Sequence, residues 1–281
     1  TTGTSNVAVG ALALDANTTG SQSVAIGCES LTNHTGTNAN AYGIVAVGYR
    51  ALKSSVNALY NVAVGYKAGE NNTSHYQTYV GWEAGQSQVS NYGNVAVGHR
   101  SQQRATGQEN ISVGGSAARG ASSGCTGNYN TAMGGEALYG FTSGSYNSAF
   151  GRYALKSNTT GSQNTAVGNF ALQDNTTASL NTGVGYHALE SNTSGAYNTA
   201  LGAYALDLNT TGQNNVAIGY QALDANTTGN HSVAVGKGAL TAATTASNNN
   251  CIGINAGLTV TTGSENVALG SNTLRGTEVT G

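Results

Sequence analysis

One glycine that returns at a fixed place along the whole chain restricts the fold more than any other feature. Aligned on the tetrad Val-Ala-Val-Gly, the sequence divides into sixteen units that begin at Val7, Val24, Val45, Val62, Thr78, Val95, Ile111, Thr131, Ser148, Thr165, Thr182, Thr199, Val216, Val233, Asn250 and Val267. The fourth residue of each unit is glycine: Gly10, Gly27, Gly48, Gly65, Gly81, Gly98, Gly114, Gly134, Gly151, Gly168, Gly185, Gly202, Gly219, Gly236, Gly253 and Gly270. From Thr131 onward every step is 17 residues. Earlier steps are 16 or 17, apart from 21 between Val24 and Val45 and 20 between Ile111 and Thr131, which read as surface insertions near 36–44 and 121–128. A glycine held at one position through every unit is a backbone requirement: either φ is positive there, or a neighbouring backbone lies too close for a Cβ.

A 17-residue unit is too short for a helix pair, and its Gly, Asn and Thr content disfavours any helix. The alternation in Val-Ala-Val-Gly predicts a short strand with two faces, and the Ala-Leu at the seventh and eighth positions predicts a second strand after the glycine bend. Asn-Thr-Thr-Gly, as at Asn158 to Gly161, carries turn chemistry, Asn bonding nearby backbone and Gly supplying the unusual dihedral. One such unit cannot bury its own apolar residues. Stacking at about 4.8 Å pairs each backbone with the coils on either side, so the expectation is an all-β solenoid of about sixteen coils, one repetitive domain over 1–281, roughly 75 Å long. The Asn before the tetrad, including Asn130, Asn147, Asn164, Asn181 and Asn198, predicts a ladder of stacked amides.

Composition agrees with many thin layers: 41 Gly, no Pro and an apolar fraction of 38%, largely Ala and Val. With a net charge of −2 and no Lys/Arg cluster, nucleic acid is not an expected partner. No run approaches eighteen apolar residues, so no membrane span is expected.

The units NTAVGNFALQDNTTASL (Asn164 to Leu180) and NTALGAYALDLNTTGQN (Asn198 to Asn214) resemble the arrays of bacterial and phage tail-fibre-domain proteins. More loosely, they are similar to the β-roll head of trimeric autotransporter adhesins. The resemblance covers essentially the whole chain. It implies a parallel homotrimer, a structural or adhesive fibre, and a place outside the cell, on a cell surface or a virion appendage. In such a trimer the Val positions would face the solenoid core, and the intervening Ala166, Ala200, Ala217 and Ala234 would let neighbouring chains approach. The chain opens on Thr2-Gly3 and closes on Thr280-Gly281, near the same point of the repeat, which suggests a piece of a longer fibre or end-to-end stacking into a filament.

Aromatic residues fall at two places in the repeat. Tyr49, Tyr66, Trp82, Tyr186 and Tyr220 follow the invariant glycine; Tyr60, Tyr76, Tyr129, Tyr146 and Tyr197 lie two residues before a tetrad. Trp82, Tyr129, Tyr146 and Tyr197 are the candidates for binding a surface glycan or host receptor through flat ring faces, against the alternative that the rings only cover the solenoid wall. Sequons at Asn17, Asn158, Asn175, Asn192, Asn209 and Asn226 offer glycosylation, against plain turn geometry. Cys28, Cys125 and Cys251 lie many coils apart and read as small fillers. His34, His75, His99, His187 and His231 are dispersed without ligand spacing, so a metal site would need side chains from stacked coils or separate chains; Asp174, Glu190, Asp207 and Asp224 read as a solvated acidic edge, against weak Ca²⁺ binding by stacked acids, and no metal, cofactor or catalytic residue is assigned. A structural or adhesive fibre leads, a tail fibre gripping host glycans is the alternative, and a polysaccharide-degrading β-helix enzyme is remote because the acids share no recognisable face.

Overall fold

The structure, a computed structural model, describes residues 2–36, 42–87, 92–121 and 125–275. The centres of both expected insertions, 37–41 and 122–124, lie outside the described residues. The chain divides into two compact units, Thr1–Ser143 and Gly144–Gly281. Each is a parallel β-solenoid with one three-residue strand per repeat, and no helix occurs among the described residues. The first unit holds β1 (Val7–Val9), β2 (Val24–Ile26), β3 (Val45–Val47), β4 (Val62–Val64), β5 (Thr78–Val80), β6 (Val95–Val97), β7 (Ile111–Val113) and β8 (Thr131–Met133). The second holds β9 (Ser148–Phe150), β10 (Thr165–Val167), β11 (Thr182–Val184), β12 (Thr199–Leu201), β13 (Val216–Ile218), β14 (Val233–Val235), β15 (Asn250–Ile252) and β16 (Val267–Leu269). Within a unit each strand pairs in register with the same position of the next repeat, as Thr165 with Thr182 and Val167 with Val184.

Both reasons for the invariant glycine hold together. All sixteen have φ between 115° and 141°, and a Cβ on Gly168 would stand 2.3 Å from the carbonyl oxygen of Gly185 in the next coil. The turn glycine is different: Gly161 has ordinary φ, and what excludes a side chain there is the carbonyl of Ala178 at 2.3 Å.

The strand faces are the reverse of the sequence expectation. The middle residue, Ala166, Ala200, Ala217 or Ala234, is fully buried, while the flanking Val or Thr is half-buried or exposed. In twelve of the sixteen strands this residue is Ala, and the space behind it is closely packed. Even at Gly183, the glycine that takes this position in β11, a Cβ would lie 3.1 Å from Ala188 O and 3.3 Å from Leu172 Cγ. Where the middle residue grows, its partner shrinks. Tyr79 in β5 is wholly buried, and the usual Leu at the eighth position is Gly69 in the preceding coil and Gly85 in its own, either of which would meet the Tyr79 ring if it carried a Cβ. Cys251 and Gly257 repeat the exchange on a smaller scale.

The expected second strand is absent, because the backbone after the glycine alternates in hand. Phe170 and Leu172 have φ of 65° and 52°, and tight turns close Ala171 N to Gly168 O, Gln173 N to Phe170 O and Asn175 N to Leu172 O at 3.2–3.3 Å. Alternation points successive N–H groups in opposite directions along the stack: Phe170 N donates back to Arg152 O, and Leu172 N donates forward to Ala188 O, each at 3.0 Å. A left-handed non-glycine residue costs about 1–3 kcal/mol, and persists where surrounding contacts over-determine it. Here two coils hold it, and Leu172 is fully buried.

Two polar ladders complete the core. At the position before the tetrad, the Oδ1 of Asn147, Asn164, Asn181 and Asn198 accepts the backbone N–H of the corresponding residue one coil on, at 2.9–3.0 Å. Their Nδ2 groups donate to turn carbonyls at 2.7–2.9 Å, so this ladder runs through backbone and not from amide to amide. Asn130 stands in the same relation to Asn110 in the first unit.

Candidate functional site

The amide-to-amide ladder is built by the sequon asparagines. Nδ2 of Asn175, Asn192, Asn209 and Asn226 donates to Oδ1 of the asparagine one coil earlier at 2.7–2.9 Å, and also to a carbonyl of its own turn. Asn158, Asn175, Asn192, Asn209 and Asn226 are buried, with each donor committed, which leaves no room for a sugar on the folded chain. Burial and these bonds agree with turn chemistry at these five sequons. Asn17, half-buried, donates to Gly20 O at 3.0 Å.

The outward face of the strands carries an apolar row at the third tetrad position. Val9, Ile26, Val64 and Met133 in the first unit, and Phe150, Val167, Leu201 and Ile252 in the second, are exposed, Leu201 to 47%. Parallel sheets are ordinarily covered on both faces, and this one is covered by its own chain on one.

The four aromatic candidates fall at two different places in the repeat. Trp82 belongs to a column after the invariant glycine, stacked on Tyr66 at 6.0 Å and on His99 at 4.8 Å, with the Arg100 guanidinium 4.5 Å from its ring centre. Its faces are occupied by neighbours. Tyr129, Tyr146 and Tyr197 occupy the other row, where φ is 57–61° and the N–H bonds back one coil, as Tyr129 N to Gln108 O at 3.1 Å. Tyr146 and Tyr197 are more than half exposed. Of the cysteines, Cys28 is exposed, and Cys125 and Cys251 are buried. Thr73, Ser74, His75 and Tyr92 line a shallow cleft.

Charge gathers in a stripe formed by the sixth and ninth positions, and the two units treat it differently. In the first unit it is paired: Arg50 with Glu29 at 3.0 Å and Glu70 at 3.6 Å, Lys53 with Glu29, Lys67 with Glu70, and Arg100 with Glu83 at 3.1 Å. Hydrogen bonds from Lys53 and Arg50 hold the Glu29 carboxyl below the usual range. In the second unit, Glu190, Asp207 and Asp224 stand at the ninth position of three successive coils. Like charges about 4 Å apart repel by about 1 kcal/mol in water and about 4 kcal/mol at a typical protein-surface dielectric. Asp207 is raised to about 6, first by burial and then by Glu190 and Asp224, while burial also raises Asp224. The edge is therefore not simply solvated, and its acids do share a face. Sequence spacing missed this because Glu190 and Asp207 are 17 residues apart, adjacent only once the repeat is stacked. His187 at the sixth position contacts Glu190 through Nδ1, and its ring lies between Phe170 and Tyr204, 4.7 and 5.3 Å away.

No family model, no curated protein and no solved structure matches the chain.

Proposed function

We propose that this chain is a subunit of an extracellular fibre whose outer sheet faces pack on further copies of itself, as a parallel homotrimer, giving a structural and adhesive shaft. The observation that carries the reading is the exposed apolar row at the third strand position. An apolar face of this kind on a parallel sheet marks an association surface. Because the row repeats with the backbone, a copy in the same register meets it at every coil. The resemblance of the Asn-Thr-Ala-x-Gly units to fibre arrays agrees with this reading.

Sedimentation of the full chain should give about three times its 28.1 kDa mass. The double replacement Val167→Asp with Leu201→Asp should dissociate it while retaining the β spectrum. A wild-type monomer at micromolar concentration would remove the trimer.

Exposure of Tyr146 and Tyr197 favours a second reading, in which the shaft grips surface glycans as a phage or virus tail fibre does. Glycan binding that survives Tyr146→Ala with Tyr197→Ala would count against it; Trp82→Ala serves as the control, since that ring's faces are already covered.

A further inference from the structure

We infer that His187, Glu190 and Asp207 form a binding site for a divalent transition ion of the zinc class, held by one imidazole nitrogen and two carboxylate oxygens from successive coils. One ligand atom from each residue lies within 4.8 Å of the others. Small side-chain rotations bring such a set to the spacing of a four-coordinate ion with bonds of about 2.0–2.2 Å, with solvent completing the shell.

Three independent observations favour a cation here. First, there is no Lys or Arg between Lys156 and Lys237, while that stretch carries Asp174, Glu190, Asp207 and Asp224. The stacked acids thus lack the basic partners that the first unit supplies to its own stripe. Second, Oδ1 of Asp207 is buried and meets no hydrogen-bond partner, a cost that an ion would relieve. Third, the imidazole is already fixed by its stacking between Phe170 and Tyr204, so little ordering remains for binding to impose. The donor set chooses the ion. Calcium takes about six to eight oxygens, whereas imidazole with carboxylate suits zinc and its neighbours.

Titration of Zn²⁺ into the chelator-treated full-length chain, followed by calorimetry, should show one saturable ion per chain. His187→Gln and Asp207→Asn should each weaken it by about tenfold or more, and His231→Gln should leave it unchanged. Neutral residues are native to these positions, since Gln221 stands at the histidine place and Gln173 at the acid place of nearby coils. Zn²⁺ should raise the melting temperature of the wild type and not that of His187→Gln. Three results would overturn the site: no uptake by the wild type, equal uptake by His187→Gln, or Ca²⁺ binding as tightly as Zn²⁺.

Discussion

The two units carry the same repeat but differ at its eleventh position. In the second unit five consecutive coils place Asn158, Asn175, Asn192, Asn209 and Asn226 there, linked into one chain of amides. In the first unit the corresponding residues are Asn17, His34, Ser55, Asn72, Ala105, Ala121 and Phe141, with position 88 outside the described residues. The hydroxyl of Ser55 is buried without a partner, and the His34 ring is buried against the Ser55 backbone. Coil length is constant along the ladder. The coils that contain the amide chain are all 17 residues long, and the 21- and 20-residue coils are those with His34 and Ala121 at this place. Identical amides one coil apart must stay within hydrogen-bond reach, so the ladder fixes the length of every turn it runs through. Where it stops, its end is visible: Oδ1 of Asn226 has no partner, because the next coil offers Ala243.

The largest test of this contrast is removal of a rung. Asn192 donates to Asn175 Oδ1 and Gly195 O, and accepts from Asn209. Asn192→Ala leaves buried amide groups unsatisfied on both sides and opens a cavity, with an expected loss of about 2–4 kcal/mol. Denaturant melts with hydrogen exchange resolved along the chain should place that loss in 144–275. A change below about 0.5 kcal/mol would mean that the ladder reports register without enforcing it.

A smaller effect separates the units by pH. Burial lowers the pKa of His34 from its ordinary value of 6.5, with a backbone contact at Ser55 partly opposing. The folded ring therefore stays neutral where the unfolded one takes up a proton. Stability contributed by the neutral ring is complete above about pH 6.5 and declines as pH falls toward the folded pKa, by at most about tenfold in the opening equilibrium per pH unit for one proton. Amide exchange, corrected for intrinsic rate, should accelerate around residues 20–36 and 42–60 between pH 7 and pH 5. His34→Asn, which restores the residue type of Asn17, should abolish the acceleration; an unchanged acid response in that variant would assign it elsewhere.

The coil boundaries were legible because one backbone constraint, the glycine corner, recurs without exception, and a period of 17 admits no helical solution. The direction of the strand faces was not. Alternation gives two faces without saying which is inside, and the deciding quantity is the space behind the strand, where a Cβ on Gly183 would already lie 3.3 Å from Leu172 Cγ. The false second strand has a similar origin: Ala-Leu looks apolar and extended, but nothing in those residue types announces a left-handed Leu172. Turn chemistry at the sequons was readable, whereas their burial followed only from the stack. The His187, Glu190 and Asp207 cluster could have been found by writing the repeats beneath one another, since its members occupy the sixth and ninth columns of adjacent rows.

The smallest prediction uses the same column with the opposite sign. Ser55 stands where Asn192 stands in the other unit, yet its hydroxyl is buried and unpaired, so it contributes a desolvation cost and no rung. Ser55→Ala removes the polar atom and almost no volume, and should stabilise the first unit by about 0.5–1 kcal/mol. Thermal melts of the full chain with exchange read at 42–60 would register it. If Ser55→Ala destabilises as Asn192→Ala does, the hydroxyl has a partner in solution and the ladder continues through it. In that case the two units differ in residue type at the eleventh position and not in the physics that holds their coils together.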